Sequence, residues 1–394
     1  MNRALSSFCR GCGSSLPEGE DWSGTRGGVQ RLGWNPGRSL ALPVSWVPTP
    51  RPDLHRDLES PCRAVLSLDG FLVLVAANGR VEWVDPVEPD ARQSFATLGS
   101  VSGEPAISRG VLYLASENRV GAWPLVWASL HPPRTTPLWE VALPGRPLGG
   151  LLPFGDRLYL QVLKGDGQVS VQVLEGLRGA TPPVRREVTV GAERVSPLVG
   201  NPALAKVLFL SSSSQELRLH WESVGEGARP GFSSRRIAGS PGALVEHRPV
   251  AALGGKLFAV LGDDEALCRL DSEEIAFDQI LLRDCKAFAM NGLADGLAVQ
   301  ADRVHFLAAA VHDELGRLQR VKGQPLLLGD RAAAIGLTDG RVLLYDFARP
   351  PASQLLRLRP RDEQPVAVLA SFGDYLVAGD AAGHVAVWQF AAAR

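Results

Sequence analysis

The chain has 394 residues, 45% of them hydrophobic, which suffices for a large buried core and excludes a wholly disordered chain. Lys and Arg number 41 against 42 Asp and Glu, a net charge of −1, so no general basic field exists to hold a nucleic-acid backbone or an anionic membrane. With 42 Gly and 29 Pro, the chain is rich in turns.

The first residues, MNRALSSFCRGCGSSLPEGEDW, contain no apolar run of signal-peptide length. No later stretch approaches the roughly 18 apolar residues of a membrane span. The five cysteines, Cys9, Cys12, Cys62, Cys268 and Cys285, are few and odd in number, unlike a disulfide scaffold. These features predict a cytoplasmic protein without membrane attachment.

Cys9-Arg10-Gly11-Cys12-Gly13 forms a Cys-x-x-Cys-Gly knuckle. Two thiolates so spaced on a tight turn can share a zinc ion, with the Gly permitting the turn. The knuckle looks like the first half of a zinc ribbon. Zinc needs about four ligands, and no second Cys-x-x-Cys follows. Three readings stand: a degenerate ribbon without metal, a zinc site completed by His55 or by a partner chain, and a redox pair. Cys62 falls at the start of a predicted inner strand and is a poor ligand candidate. Residues 13–38 carry Trp22 and Trp34 in a polar, Gly-rich context. They read as a linker whose tryptophans cover the flank of the following domain, or as anchors for a partner. Residues 1–38 are therefore assigned to a knuckle and linker, and 39–394 to one folded domain.

Within 39–394 the chain repeats itself. GEPAISRGVLYLASENRVGAW, from Gly103 to Trp123, runs Pro, apolar strand, Gly turn, apolar strand, polar turn, third strand. The same order recurs from Ser60, Arg146, Gln324 and Gln364, more weakly from Pro197 and Pro249, and without its Pro from Cys285. Pro is tolerated at the first residue of a strand. Asn78-Gly79, Asp166-Gly167 and Asp339-Gly340 suit tight hairpin turns that need positive φ. A fourth strand per repeat is predicted at 91–98, 137–143, 185–190, 233–238, 277–282, 317–321 and 353–358. The last repeat lacks one, and SLALPVSWV at 39–47 is the predicted donor that closes the ring. A short-strand repeat of about 40–50 residues means a propeller. The expectation is an all-β, eight-bladed β-propeller of four-stranded blades closed by an N-terminal strand. Seven blades is the alternative if the copy at 285–307 is irregular.

This pattern resembles the quinoprotein-like repeat: Gly103–Trp123 is the best copy, and Asp85 and Asp346 stand where that repeat often ends in Asp. Val385–Trp388 and Leu343–Asp346 are also similar to the third strands of WD-type repeats. The resemblance covers about residues 39–390. Non-enzymatic members of such families are assembly platforms, whereas the enzymes bind a quinone with calcium. The lack of an adjacent cysteine pair places the chain with the non-enzymatic branch.

No phosphate-binding loop, dinucleotide fingerprint, HExxH or Gly-x-Ser-x-Gly occurs. The seven His are scattered; His220, His305 and His384 fall at related third-strand positions and read as individual strand residues. Asp263-Asp264-Glu265 reads as a solvated hairpin turn. The doublets Arg185-Arg186 and Arg235-Arg236 read as outer-strand charges that blunt sheet edges, not as a nucleic-acid groove.

The functional expectation is a non-catalytic platform for protein partners, a scaffold or adaptor subunit of a bacterial-type multiprotein complex. Residues beside the repeated Pro, namely Glu104, Arg146, Arg248, Gln324 and Gln364, are the predicted contact rim. Trp22, Trp34 and the knuckle form a second contact. Neither nucleic acid nor a small-molecule substrate is expected. The alternative is an enzyme or ligand binder using the axial funnel.

Overall fold

The computed structural model describes residues 34–35 and, between 53 and 389, all but 69, 89, 91, 98, 126–135, 178–182, 214–215, 226, 247, 291–295, 301–302, 309–310, 318–324, 329–331, 347–352, 358–363 and 373–374. It is an all-β ring of eight antiparallel blades.

Blade one is Cys62–Leu68, Phe71–Ala76, Arg80–Val84 and Arg92–Ala96. Blade two is Ala106–Ser108, Val111–Ala115, Arg119–Pro124 and Trp139–Ala142. Blade three is Gly145–Phe154, Arg157–Lys164, Val169–Glu175 and Val184–Val190. In blade four the innermost strand is broken into Arg194–Val195 and Val199–Asn201, followed by Lys206–Ser212, Leu217–Ser223 and Ser233–Arg236. Blade five is Val250–Leu253, Lys256–Leu261, Ala266–Asp271 and Ala276–Leu282. Blade six is Cys285–Met290, Gly296–Gln300, Arg303–Ala308 and Val311–Arg317. Blade seven is Leu326–Leu328, Ala332–Gly336, Arg341–Asp346 and Ser353–Arg357. Blade eight is Val366–Phe372, Tyr375–Asp380 and His384–Gln389, completed by Leu54–Asp57 from the N-terminal side.

Two predicted strands move. The outer strand of blade six is Val311–Arg317 rather than 317–321. Ring closure comes from Leu54–Asp57, which pairs with His384–Val387, and not from 39–47, which lies outside the described residues. An edge strand needs apolar residues on one face only. The string LHRD, exposed at His55 and Asp57, meets that need without a long apolar run. The predicted boundary at 38/39 also lies outside the described residues.

The turns follow the expected chemistry. Gly79, Gly167 and Gly340 adopt φ of 85°, 81° and 74°. In each case the preceding Asn or Asp side chain accepts a hydrogen bond from the amide two residues on. In blade four, Pro197 interrupts the innermost ladder. The buried Ser196 repairs it: its hydroxyl accepts from the Leu210 amide (2.8 Å), and its carbonyl accepts from the Gln161 side chain of blade three (2.8 Å).

The core lies between blades. One apolar cluster joins Val73, Trp83 and Phe95 of blade one to Ile107, Leu112 and Trp123 of blade two. Another joins Leu208 and Leu219 of blade four to Val250 and Leu257 of blade five. A third joins blades seven, eight and one across the closure. Trp83, Trp123 and Trp388 occupy like positions on their third strands, each 1–2% exposed. Apolar clusters thus bridge neighbouring blades around the ring.

Candidate functional site: the upper rim

Strand direction sets the two ends of the ring. In every blade the innermost strand starts at the end where the fourth-to-first connection and the second-to-third turn lie; this end is called the upper rim. The first-to-second and third-to-fourth turns form the lower rim.

At the upper rim Arg146 is the second residue of its strand and is exposed. Gln364 is exposed directly before Pro365. Glu104 is half-buried; its amide donates to the Gly149 carbonyl (3.1 Å) and its carbonyl accepts from Leu151 (3.0 Å), tying blade two to blade three. Arg248 is half-buried and engaged. Its Nη2 donates to both oxygens of Glu265 (2.9 Å each), and its Nη1 to the Lys286 carbonyl of blade six (3.1 Å). Lys286 Nζ pairs with Glu265 as well. These two cations, Lys286 foremost, hold the Glu265 carboxyl below its usual range. Arg248 is therefore chiefly a staple between blades five and six. The Asp263–Glu265 turn is correspondingly more than a solvated hairpin, since Asp264 also pairs with Arg283.

Sequence reasoning passed over several residues. Arg63 is exposed on the upper rim, with its Nε donating to the Gly103 carbonyl of blade two (3.3 Å). Arg194 reaches the Leu244 carbonyl (3.0 Å) in the connection to blade five. At the closure, Asp380 Oδ1 accepts from the amides of Ala382, Gly383 and His384 (2.8–2.9 Å). His384 Nδ1 lies 2.9 Å from Asp380 Oδ2, and its Nε2 lies 3.6 Å from Asp57 of the closing strand. Between blades three and four, fully buried Glu222 receives Arg157 Nη1 (2.8 Å) and Arg186 Nη2 (2.6 Å). That pairing spans 65 residues of sequence, and no local pattern signals it.

Among the described histidines, His220, His305 and His384 have separate local partners. His220 Nε2 is 2.7 Å from Ser211 Oγ, with the ring stacked on Phe209 at 4.4 Å. Burial first, and Arg218 second, push its pKa down to about 4. His305 Nε2 is 2.9 Å from Gln300 Oε1.

Cys9, Cys12, Trp22 and Gln324 lie outside the described residues. The backbone of Trp34 is described and forms a two-residue strand with Asn35. His55 is exposed on the closing strand, and Cys62 is a buried core residue. Among the described residues no group of three or more His, Cys, Asp or Glu is placed to hold a metal ion. The large exposed hydrophobic residues among them are Val87 and Val184. No helix among them is long and apolar enough to cross a membrane.

No family model matches the chain, and no curated protein matches it in sequence. Its fold is shared with many solved structures. BamB from Moraxella catarrhalis superposes with a TM-score of 0.61 at 14% identity, over 86% of this chain and 98% of that one. Quinohemoprotein alcohol dehydrogenase from Comamonas testosteroni gives a TM-score of 0.64 at 10% identity, over 93% and 80%. The computationally designed Ika8 protein gives 0.58 at 13%, over 85% and 98%. At these identities the likeness is one of fold.

Proposed function

We propose that the protein is a non-catalytic platform that binds protein partners through its upper rim. One observation carries this reading. The exposed polar side chains of Arg63, Arg146 and Gln364 stand at the starts of innermost strands, on a rim fixed by hydrogen bonds from blade to blade. A rigid frame holding adaptable polar groups loses little freedom when a partner docks. The fold itself does not choose the role, since propellers serve both as enzymes and as binding modules.

A photocrosslinking residue introduced at Arg146 or at Gln364 in the native cell should trap partner proteins. The same residue at Arg109, exposed in the lower-rim turn of blade two, should not. Adducts from Arg109 alone, or from none of the three sites, would overturn the proposal.

A further inference from the structure

Phe232 and Ile237 fix the two ends of the outer strand of blade four. The Phe232 ring packs edge-on against Tyr159 of blade three and against Phe209, with centroids 6.2 and 5.3 Å away. Ile237 is 3% exposed in the apolar cluster shared with blade five. The four residues between them, Ser233–Arg236, are all exposed. In blades one, two, three, five and eight the outer strand buries or half-buries at least one residue. In blade four the ends meet the needs of the core, and the strand between them is held in place without being covered.

Register decides which backbone groups are spare. The Ile237 amide donates to the Leu217 carbonyl (2.9 Å), so Ile237, Arg235 and Ser233 form the hydrogen-bonded pairs with the third strand. The amides and carbonyls of Ser234, Arg236 and Ala238 therefore point away from the sheet. That line already accepts chain at one end. The Ala238 carbonyl receives the Phe277 amide (3.1 Å), where Ala238 and Ala276 of blade five form a parallel bridge. At Ser234 and Arg236 no described strand pairs with it.

The side chains give this edge a sign. Arg235 and Arg236 lie on opposite faces of the strand. Neither has an ion pair or a side-chain hydrogen bond among the described residues. Arg185 and Arg186 of blade three, by contrast, are engaged by the Ala142 carbonyl and by Glu222. Arg236 also stands directly opposite Arg218, an unfavourable like-charge pair, and Glu216 binds Arg218. An incoming strand with two successive acidic residues sets one carboxylate beside Arg235 and the other beside Arg236. Two cations in a row reject a basic strand and select an acidic one.

We propose that the outer edge of blade four is an acceptor for an extended acidic segment of a partner protein. The segment adds as a further strand along Ser234 and Arg236 and pairs two successive carboxylates with Arg235 and Arg236. The edge is preformed, so little ordering is needed on docking. This surface is separate from the upper rim, and the inference goes beyond the platform reading without resting on it.

Fluorescence anisotropy of the full-length protein with labelled peptides Thr-Thr-Glu-Glu-Thr-Thr and Thr-Thr-Lys-Lys-Thr-Thr tests the proposal. The acidic peptide should bind at least about tenfold tighter than the basic one, and the difference should shrink as salt is raised. Ser234→Pro removes an outward amide and no ladder bond, so the blade should stand while binding of the acidic peptide falls about tenfold. Arg235→Glu/Arg236→Glu should reverse the preference. Failure to bind either peptide at about 1 mM, equal binding of both, or binding untouched by Ser234→Pro would overturn the proposal. Should Ser234→Pro unfold the blade, hydrogen exchange in the natural protein decides: the acidic peptide must slow the Arg236 amide and leave that of Phe258 in blade five unchanged. Crosslinks from Arg146 and Gln364 report on the upper rim separately, so either reading can fail alone.

Discussion

His220 shows how a single side chain couples the ring to pH. Its ring lies nearly parallel to that of Phe209, with an interplanar angle of 4°, and a proton would have to be carried in a half-buried stack. Burial lowers the folded-state pKa to about 4, while in the unfolded chain it stays near about 6.5. Between those values the unfolded chain binds more protons than the folded one. The contribution of His220 is thus complete above the unfolded value and is lost as pH falls toward 4. Denaturant midpoints at pH 7, 5.5 and 4.5 should therefore drop more steeply for the natural protein than for His220→Gln. Parallel curves would show that the imidazole titrates as freely folded as unfolded.

At the scale of elements, the weakest join should be the one that closes the ring. The four residues Leu54–Asp57 bring blade eight its outer strand, framed by Asp53, whose carboxylate accepts from the Gln389 amide (2.6 Å), and by Leu58, whose amide donates to Gly383 (3.0 Å). Counting back two residues from Leu58 along an antiparallel pair points the Arg56 amide at Val385, and leaves the His55 amide facing outward. Arg56→Pro should then cost about 1–3 kcal/mol more than His55→Pro, the difference being one orphaned ladder acceptor and a bent strand. Urea unfolding of both variants checks the sign, and equal losses would mean that the strand adds little to closure.

The same strand marks how far the sequence could be read. Pro-strand-Gly repeats located the inner strands of most blades, more weakly in blades four and five and without the Pro in blade six, because core-facing β strands and their turns leave local signals. Outer strands leave fewer. Val311–Arg317 contains His312, Asp313 and Glu314, and its polarity hid it; LHRD lost to the more apolar 39–47 for the same reason. The rim was legible only as positions. That Arg248 reaches the Lys286 carbonyl of blade six, or that Glu222 sits between Arg157 and Arg186, follows from the angle between neighbouring blades, which spacing along the chain does not encode.

At the scale of the whole molecule, blades that share cores and staples around a closed ring should fail together. Cys62, Cys268 and Cys285 report on this from three places: the seam between blades eight and one, the interior of blade five, and the first strand of blade six. Burial pushes each thiol up to about 12, and a Cβ built on Gly379 of blade eight would come within 2.6 Å of Cys62 Sγ, so none should alkylate in the folded state. In a denaturant series probed by brief thiol labelling and peptide mass, the three should become reactive at one common midpoint. Labelling of Cys62 at a lower denaturant concentration would instead mean that the seam opens before the ring melts, and that closure is a gate rather than part of one cooperative unit. In Arg56→Pro, with the seam weakened, Cys62 should separate from the other two in that direction, while Cys268 and Cys285 continue to move as a pair because Arg248, Glu265 and Lys286 still bind blade five to blade six.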